Sequence, residues 1–272
     1  MTDIELKTTA AKVREGIVTA VFSAASGHPG GSLSAADMYT YLFFEEMNID
    51  PKNPRDPKRD RFVLSKGHTS PGYYSALANR GFFPVEDLKT FRKLGSYLQG
   101  HPCMNETPGV DMSSGSLGQG LSAATGMALA GKLKGEDYRV YTLLGDGEIQ
   151  EGQIWEAAMF AGAHKLDNLT VIVDNNDLQI DGRVADVCNI YPIDKKFEAF
   201  NFNVINIDGH DFAQIRDAFA KARETKGMPT AIIMKTTKGK GVSFMEDNAG
   251  WHGKAPNAEE YEKAIAEIRS AI

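Results

Sequence analysis

Apolar residues along the chain follow two different spacings. Short unbroken apolar runs, such as residues 169–173, are typical of strands buried on both faces of a sheet. Apolar residues three or four positions apart, as at Phe212, Ile215 and Phe219, are typical of helices that bury one side. The pattern predicts strands at 61–64, 138–144, 169–173, 202–207 and 230–235, helices at 3–25, 34–47, 71–80, 117–134, 151–166, 211–225 and from 257 onward, and loops at 50–57, 95–116 and 239–253.

The order of these elements predicts the class of fold. Strands that alternate with helices form a parallel sheet, and helices then cover both of its faces. We therefore expect an α/β protein with a doubly wound, mostly parallel sheet. Ser32 or Ser34 is the candidate cap of the second helix. No linker, repeat or low-complexity tract interrupts the pattern, so one domain over residues 1–272 is predicted.

Composition and charge narrow the classes of function. Hydrophobic residues make up 42% of the 272 residues and charged residues 24%, as in ordinary soluble globular proteins. A net charge of −6 argues against a general nucleic-acid-binding protein, since phosphate contacts need a basic surface. No apolar run is long enough to cross a membrane, and residues 1–7 lack the order of a signal peptide. Cys103 and Cys188 form neither a disulfide framework nor a CxxC site, which favours a reducing cytoplasm.

Two polar segments follow neighbouring predicted strands. Gly145-Asp146-Gly147-Glu148 comes after the strand at 138–144, and Asn175-Asn176 comes after the next strand. In a doubly wound sheet, ligands bind outside the carboxyl ends of the strands. A carboxylate and a carboxamide at this edge offer the hard oxygen ligands that Mg²⁺ prefers, and the glycines beside Asp146 allow close approach of the backbone. Either segment alone is more simply explained as a turn, but the pair in this order predicts a metal-bound diphosphate.

Other glycine-rich segments do not fit the familiar nucleotide-binding templates. Residues 115–120 have their glycines in the wrong order for the dinucleotide-binding fingerprint. Residues 126–133 lack the Ser or Thr that a P-loop needs after its lysine, and they lie within a predicted helix. Neither template is therefore supported.

Four of the six histidines lie in segments rich in glycine or proline. These are His28, His68, His101 and His252. We expect them to be exposed and positioned rather than packed, so that they can bind phosphate or hydroxyl groups or move protons near neutral pH. From residue type alone, a shared polar pocket and four merely solvated side chains remain equal alternatives. His164, within a predicted helix, and His210, in a helix-entry turn, are assigned structural roles.

Several short segments now form an ordered set along the chain. They are S-G-H-P-G-G at 26–31, S-K-G-H at 65–68, G-H-P at 100–102, S-G-S-L-G-Q-G at 114–120, G-D-G at 145–147, Q-E-G at 150–152, D-N-N at 174–176 and I-D-G at 180–182. Together they resemble the transketolase family, whose members use thiamine diphosphate to move two-carbon ketol units between sugars. The resemblance covers essentially the whole chain, and the set is far more specific than any one member of it.

The resemblance implies a cofactor and a metal ion. The implied cofactor is thiamine diphosphate. It would be bound through Mg²⁺, which Ca²⁺ or Mn²⁺ could replace. The implied metal ligands are Asp146, the side chain of Asn176 and the backbone carbonyl of Leu178. The implied cofactor contacts are His68, Gly115, Ser116, Leu117, Asp146, Gly147, Glu148, Asn176, Ile180 and His252.

The resemblance also implies catalytic roles. His28 and His101 would face the substrate and bond the hydroxyl groups of a ketose, while Glu151 would couple active sites through a subunit interface. The bond-breaking chemistry itself would belong to the cofactor. The implied catalytic set is His28, His68, His101, His252 and Glu151.

The chain departs from a complete transketolase in its length. In single-chain members of the family, a second domain binds the pyrimidine ring and supplies the glutamate that protonates it. One diphosphate-binding domain already uses the 272 residues, so these groups have no place here. We therefore expect a natural N-terminal subunit of a two-chain transketolase, active only with a companion C-terminal subunit in an α2β2 heterotetramer. Its substrates would be sugars or sugar phosphates.

Two alternative functions stay open at this point. The chain could serve another thiamine diphosphate enzyme that acts on an unusual sugar or a 2-oxo acid, such as deoxyxylulose phosphate synthase or an oxo-acid dehydrogenase. It could also be a non-catalytic binding protein of the same fold. A screen of donor substrates with the reconstituted pair of subunits distinguishes the first alternative from a transketolase. Failure of the pair to bind thiamine diphosphate would favour the second alternative.

Overall fold

Within residues 1–271, which the computed structural model describes, five parallel strands form one sheet and helices cover both faces. The strands of this sheet are β1 (Arg61–Leu64), β2 (Val140–Gly145), β3 (Leu169–Asn175), β6 (Asn203–Asp208) and β7 (Thr230–Lys235), and β4 (Leu178–Gln179) and β5 (Gly182–Arg183) form a separate antiparallel hairpin. The helices are α1 (Asp3–Ala24), α2 (Pro29–Ser34), α3 (Ala36–Tyr41), α4 (Ser70–Arg80), α5 (Gln119–Lys134), α6 (Gly152–Ala163), α7 (Val184–Cys188), α8 (Ile193–Ala199), α9 (Phe212–Glu224) and α10 (Ala258–Ser270).

The order of strands across the sheet is β1-β2-β3-β7-β6. Every neighbouring pair is parallel, so the carboxyl ends of all five strands lie at the same edge. Gly145 at the end of β2 pairs with Asp174 near the end of β3, and Asp174 pairs in turn with Met234 of β7. The polar residues that follow β1, β2, β3 and β7 are thereby brought together; the sequence predicts this for the segments after β2 and β3.

Side chains of successive strand residues enter two different cores. Leu143, Ile172 and Ile232 belong to the core that α1, α3, α4 and α9 cover. Val171 and Val173 belong to the core on the opposite face, beneath α5, α6 and α8. The runs of buried residues that predict the strands thus reflect burial on both sides of a parallel sheet, and the predicted doubly wound α/β fold is confirmed.

Polar side chains cap the first turn of several helices. Thr2 and Glu5 form a capping box at the start of α1, in which each side chain satisfies a backbone amide of the other. Asn257 and Glu260 form the same arrangement at the start of α10. Asp211 caps α9, in agreement with the predicted helix-entry turn.

The predicted helix at 34–47 is wrong in its start and in its continuity. The helical segment begins at Pro29, whose fixed φ suits the first turn of a helix, and it is interrupted at Ala35. After α3 a single π-helical turn, Leu42–Glu46, follows. Neither predicted cap is correct, because Ser32 and Ser34 lie inside α2. The Ser32 hydroxyl donates to the backbone carbonyl of His28, and the Ser34 hydroxyl donates to the Asp174 carboxylate.

The segment between β3 and β6 holds more structure than predicted. It contains the β4–β5 hairpin and the short helices α7 and α8 where the sequence indicates only a loop. These elements are two to seven residues long, which is too short for a periodic pattern to be detected. Among the described residues, no helix combines the length and the apolar character needed to cross a membrane.

Packing of α6 generates a test of the fold. A Cβ atom added at Gly162 would lie 1.9 Å from the carbonyl oxygen of Phe200, so Gly162→Ala forces α6 away from the segment before β6. We expect a loss of about 1–3 kcal/mol of stability, measured by thermal and urea unfolding. Gly126→Ala in α5 is the matched control, because nothing lies within 4 Å of its added Cβ, and it should be neutral or stabilising. Equal melting temperatures for the two variants would contradict this packing.

Candidate functional site

The carboxyl ends of β1, β2, β3 and β7 surround a polar cleft of about 490 Å³. All but one of the predicted site residues lie along this cleft; Ser116 is exposed between two of them. The predicted residues in the lining are His28, His68, His101, Gly115, Leu117, Asp146, Gly147, Glu148, Glu151, Asn176, Leu178, Ile180 and His252.

Asp146 lies directly after β2 and is only 3% exposed. Its Oδ1 accepts a hydrogen bond from the backbone amide of Gly147 at 2.8 Å, and its Oδ2 accepts one from that of Asp177 at 2.5 Å. Burial raises the pKa of Asp146 to about 7, and the nearby Asp174 carboxylate acts in the same direction. A buried carboxylate with so little compensating positive charge favours a cation beside it.

Asn176 and Leu178 follow β3 in the same part of the cleft. The Asn176 carboxamide donates from Nδ2 to Asp174 at 3.1 Å and accepts at Oδ1 from the backbone amide of Leu178 at 3.1 Å. The carbonyl oxygen of Leu178 accepts a hydrogen bond from Lys238 Nζ at 2.9 Å. Both oxygens keep a second lone pair, because a carbonyl or carboxamide oxygen can accept two bonds.

Glu148 also lines the cleft and has several protein partners. Its carboxylate is buried and accepts hydrogen bonds from Ser65 Oγ, from the backbone amide of Gly118 and from that of Gly145. These donors lie after β1, before α5 and at the end of β2. Glu148 therefore links three segments of the cleft wall through hydrogen bonds, and its carboxylate oxygens face protein donors.

Three of the four predicted histidines form a cluster. The ring centroids of His28 and His68 are 5.0 Å apart, those of His28 and His252 5.4 Å, and those of His68 and His252 5.2 Å. The expectation that all four would be exposed is wrong for these three, which are half-buried, and correct for His101 at the rim. Histidines on glycine-rich segments can pack when several such segments meet at one sheet edge.

The cluster is uncharged at neutral pH. Burial lowers the pKa of His68 to about 2, that of His252 to about 3 and that of His28 to about 4, and neighbouring histidines or cations lower them further. The pKa of His101 is also lowered, by partial burial and by the charge of Arg92. These imidazoles therefore act as neutral hydrogen-bonding groups rather than as fixed positive charges.

Sequence reasoning missed two buried lysines at the site. Lys66 donates to Asp174 at 2.5 Å and to the carbonyl of Gly31 at 2.9 Å. Lys238 donates to Leu178 and lies 2.8 Å from His252 Nδ1, and burial lowers its pKa to about 8. Both follow the carboxyl ends of strands, β1 and β7, and that position is the signal that could have identified them.

The two remaining histidines have the structural roles assigned to them. His210 binds the Asp37 carboxylate through Nδ1 at 2.8 Å and accepts the backbone amide of Thr237 at Nε2. His164 ends α6 and packs against Phe160 with ring centroids 4.0 Å apart. Neither lines the cleft.

The cleft fits a diphosphate held by a metal ion. Within the described part of the chain, no three His, Cys, Asp or Glu side chains converge as metal ligands, so an ion beside Asp146 would need carboxamide and carbonyl oxygens to complete its set. Asn176 and Leu178 offer such oxygens. Buried polar atoms without a hydrogen-bond partner among residues 1–271 include Nδ1 of His28, which lines the cleft, and Oγ of Ser114, which precedes the lining residue Gly115.

Comparisons with known proteins agree with this chemistry. The family model for the transketolase thiamine diphosphate binding domain matches residues 6–270. A 6-deoxy-6-sulfo-D-fructose transketolase subunit from Clostridium sp. (strain MSTE9) is 47% identical over 242 residues, which are 89% of this chain and 88% of the relative. One of the subunits of an apulose-4-phosphate transketolase from Phocaeicola vulgatus is 42% identical over 261 residues, which are 96% of this chain and 92% of the relative.

A solved structure gives the same assignment. The transketolase from Campylobacter jejuni superposes with a TM-score of 0.93 at 38% identity, over 99% of this chain and 43% of that chain. This chain therefore spans less than half of that longer protein. The sequence motifs, the fold and the family model agree over nearly the whole of residues 1–271. The chain belongs to the transketolase family of thiamine diphosphate-dependent transferases, as the domain that binds the cofactor.

Proposed function

We propose that Asp146, Asn176 and Leu178 hold the divalent metal ion of thiamine diphosphate in this cleft. The observation that carries the proposal is that a carboxylate, a carboxamide and a backbone carbonyl line one cleft after two adjacent strands. The raised pKa of Asp146 supports it, since a buried carboxylate gains most from a bound cation. Mg²⁺ suits this oxygen set, and Ca²⁺ or Mn²⁺ can replace it.

A buried lysine beside the metal site is proposed to supply positive charge for the diphosphate. Lys238 donates to a backbone carbonyl, whereas the charge of Lys66 is already paired with the Asp174 carboxylate. Gly147 packs against Gln179, and a Cβ atom added at Gly147 would lie 3.1 Å from the Gln179 side chain. The bound cofactor supplies the carbanion chemistry of ketol transfer. The residues of this chain bind and orient it.

Neutral histidines are suited to the hydroxyl groups of a sugar. His28 and His101 are proposed to face the substrate, because each can donate one hydrogen bond and accept another while uncharged. His68 and His252 complete the inner wall of the cleft. We propose that the donor is a ketose. Because two relatives are named for a sulfonated and a phosphorylated sugar, both kinds of donor should be screened.

A companion subunit is proposed to complete the site. Leu117 and Ile180 lie at the cleft with exposed fractions of 36% and 68%, which favours an apolar partner surface. Two relatives of similar length are named as subunits of transketolases, which supports the same arrangement. We propose an α2β2 heterotetramer in which Glu151, exposed at the start of α6, lies near a subunit interface. A cytoplasmic location stays a prediction.

Removal of a metal ligand tests the site. Asp146→Ala and Asn176→Ala should each weaken metal-dependent thiamine diphosphate binding by about 100-fold or more in the complex with the companion subunit, because each removes an oxygen ligand. Titration calorimetry measures the affinity, and circular dichroism checks the fold. Asp167→Asn is the matched control, since Asp167 binds Lys132 at the opposite, amino-terminal end of the strands. Unchanged affinity in both alanine variants would refute the assignment.

The raised pKa of Asp146 predicts how metal affinity depends on pH. Below about pH 7 the carboxyl group of the metal-free protein is protonated, and a metal ion must displace that proton. The affinity for Mn²⁺ should therefore fall about tenfold per pH unit below 7 and level off above it. Electron paramagnetic resonance of free Mn²⁺, without thiamine diphosphate, avoids titration of the cofactor itself. An affinity that stays flat from pH 7.5 to 5.5 would show that Asp146 has an ordinary pKa.

Activity is expected to require both subunits. The purified chain with thiamine diphosphate and Mg²⁺ should show no ketol transfer, and addition of a companion that carries the pyrimidine-binding domain should restore it. Product formation is followed by mass spectrometry with a panel of ketose donors and aldose acceptors. Turnover by the chain alone would overturn the two-subunit proposal, and turnover of 2-oxo acids by the pair would favour a different thiamine diphosphate enzyme.

A further inference from the structure

Asp174 gathers four segments of the chain at one buried carboxylate. It is the next-to-last residue of β3 and has no exposed surface. Its carboxylate accepts hydrogen bonds from Ser34 in α2, Lys66 after β1, Asn176 after β3 and Thr236 after β7. None of the roles assigned above uses this group.

The two carboxylate oxygens have different partners. Oδ2 accepts from Ser34 Oγ at 2.5 Å, from Lys66 Nζ at 2.5 Å and from Asn176 Nδ2 at 3.1 Å. Oδ1 accepts from Thr236 Oγ1. The Lys66 ammonium lies 2.5 Å from Oδ2, and hydrogen-bond donors face both oxygens of the carboxylate. In this ion pair the Asp174 carboxylate can only accept hydrogen bonds.

An acceptor in this place determines which way the Asn176 carboxamide points. The group that faces Asp174 must be the donor, Nδ2, so Oδ1 lies on the other side. The backbone amide of Leu178 independently requires an acceptor there, and it donates to Oδ1 at 3.1 Å. A flipped carboxamide would place oxygen against a carboxylate and an NH₂ group against an N–H donor, which removes two hydrogen bonds and adds two repulsive contacts.

We propose that Asp174 is a positioning residue that fixes the Asn176 carboxamide with its oxygen toward the metal ion, and this inference rests on the metal site proposed above. Only the oxygen of a carboxamide can bind Mg²⁺. A carboxylate next to the ligand thus selects the competent orientation without contacting the metal. Lys66 acts through Asp174, because its ammonium group keeps that carboxylate charged inside the protein.

Asp174→Asn tests the inference because an amide at this position can either donate or accept. The Asn176 carboxamide then loses the charged acceptor that requires Nδ2 on that side, and we expect Mg²⁺ affinity to fall about 10–100-fold in the reconstituted complex with thiamine diphosphate. Excess Mg²⁺ should restore cofactor binding. Calorimetry gives the metal affinity, and thermal unfolding of the metal-free complex reports on structure separately.

Thr236→Val is the matched control. It removes a hydrogen bond to the same carboxylate at Oδ1 but leaves the Asn176 contact at Oδ2 in place. We expect it to lower the melting temperature while Mg²⁺ affinity stays within about twofold. Should Asp174→Asn fail to fold, Lys66→Met/Asp174→Asn removes both buried charges together, and the same Mg²⁺-rescuable loss is expected.

The outcomes separate this inference from the proposed metal site. A loss of Mg²⁺ affinity in Asn176→Ala, together with normal affinity in Asp174→Asn or in the double variant, overturns the positioning role alone. An equal loss in Thr236→Val and Asp174→Asn also overturns it, since the effect would then be general loosening. Unchanged affinity in Asn176→Ala removes Asn176 from the metal site, and the positioning role falls with it.

Discussion

The cleft depends on the ion pair between Asp174 and Lys66. A carboxylate without exposed surface is stable only when it is paired and hydrogen-bonded, and here the donors come from four separate segments. Breaking such a pair by removal of one partner leaves an uncompensated buried charge, which typically costs about 3–5 kcal/mol. The loops after β1, β3 and β7 and the end of α2 are consequently fixed relative to one another.

Asp146, in the same cleft, shows the opposite balance. It has two backbone donors, yet burial and the neighbouring Asp174 raise its pKa to about 7. The metal-free protein thus carries one carboxylate that is fully compensated and one that is not. Uncompensated charge at a binding site lowers the stability of the empty protein and strengthens binding of the ion that removes it. The cleft thus combines a rigid arrangement around Asp174 with one carboxyl group, that of Asp146, whose negative charge a bound cation would compensate.

The alternation of elements and the polar residues after two strands could be predicted from sequence, because both depend on local patterns. Other features depend on tertiary contacts. Lys66 and Lys238 carry the residue type that is most often exposed, so their burial was not apparent. The G-D-G-E segment indicates that carboxylates lie at the cleft, but it cannot tell that Glu148 faces three protein donors. The start of α2 at Pro29 was hidden by the two glycines that follow it.

The contact between Lys238 and His252 has a consequence for the cleft. An ammonium group has only donors, so His252 Nδ1 must be the acceptor of this 2.8 Å contact. A neutral imidazole with an accepting Nδ1 carries its proton on Nε2. His252 is therefore held in one tautomer and can only donate from its outer nitrogen, while Lys238 remains protonated below about pH 8. Lys238 thus determines that the His252 ring offers the ligand a hydrogen-bond donor rather than a lone pair.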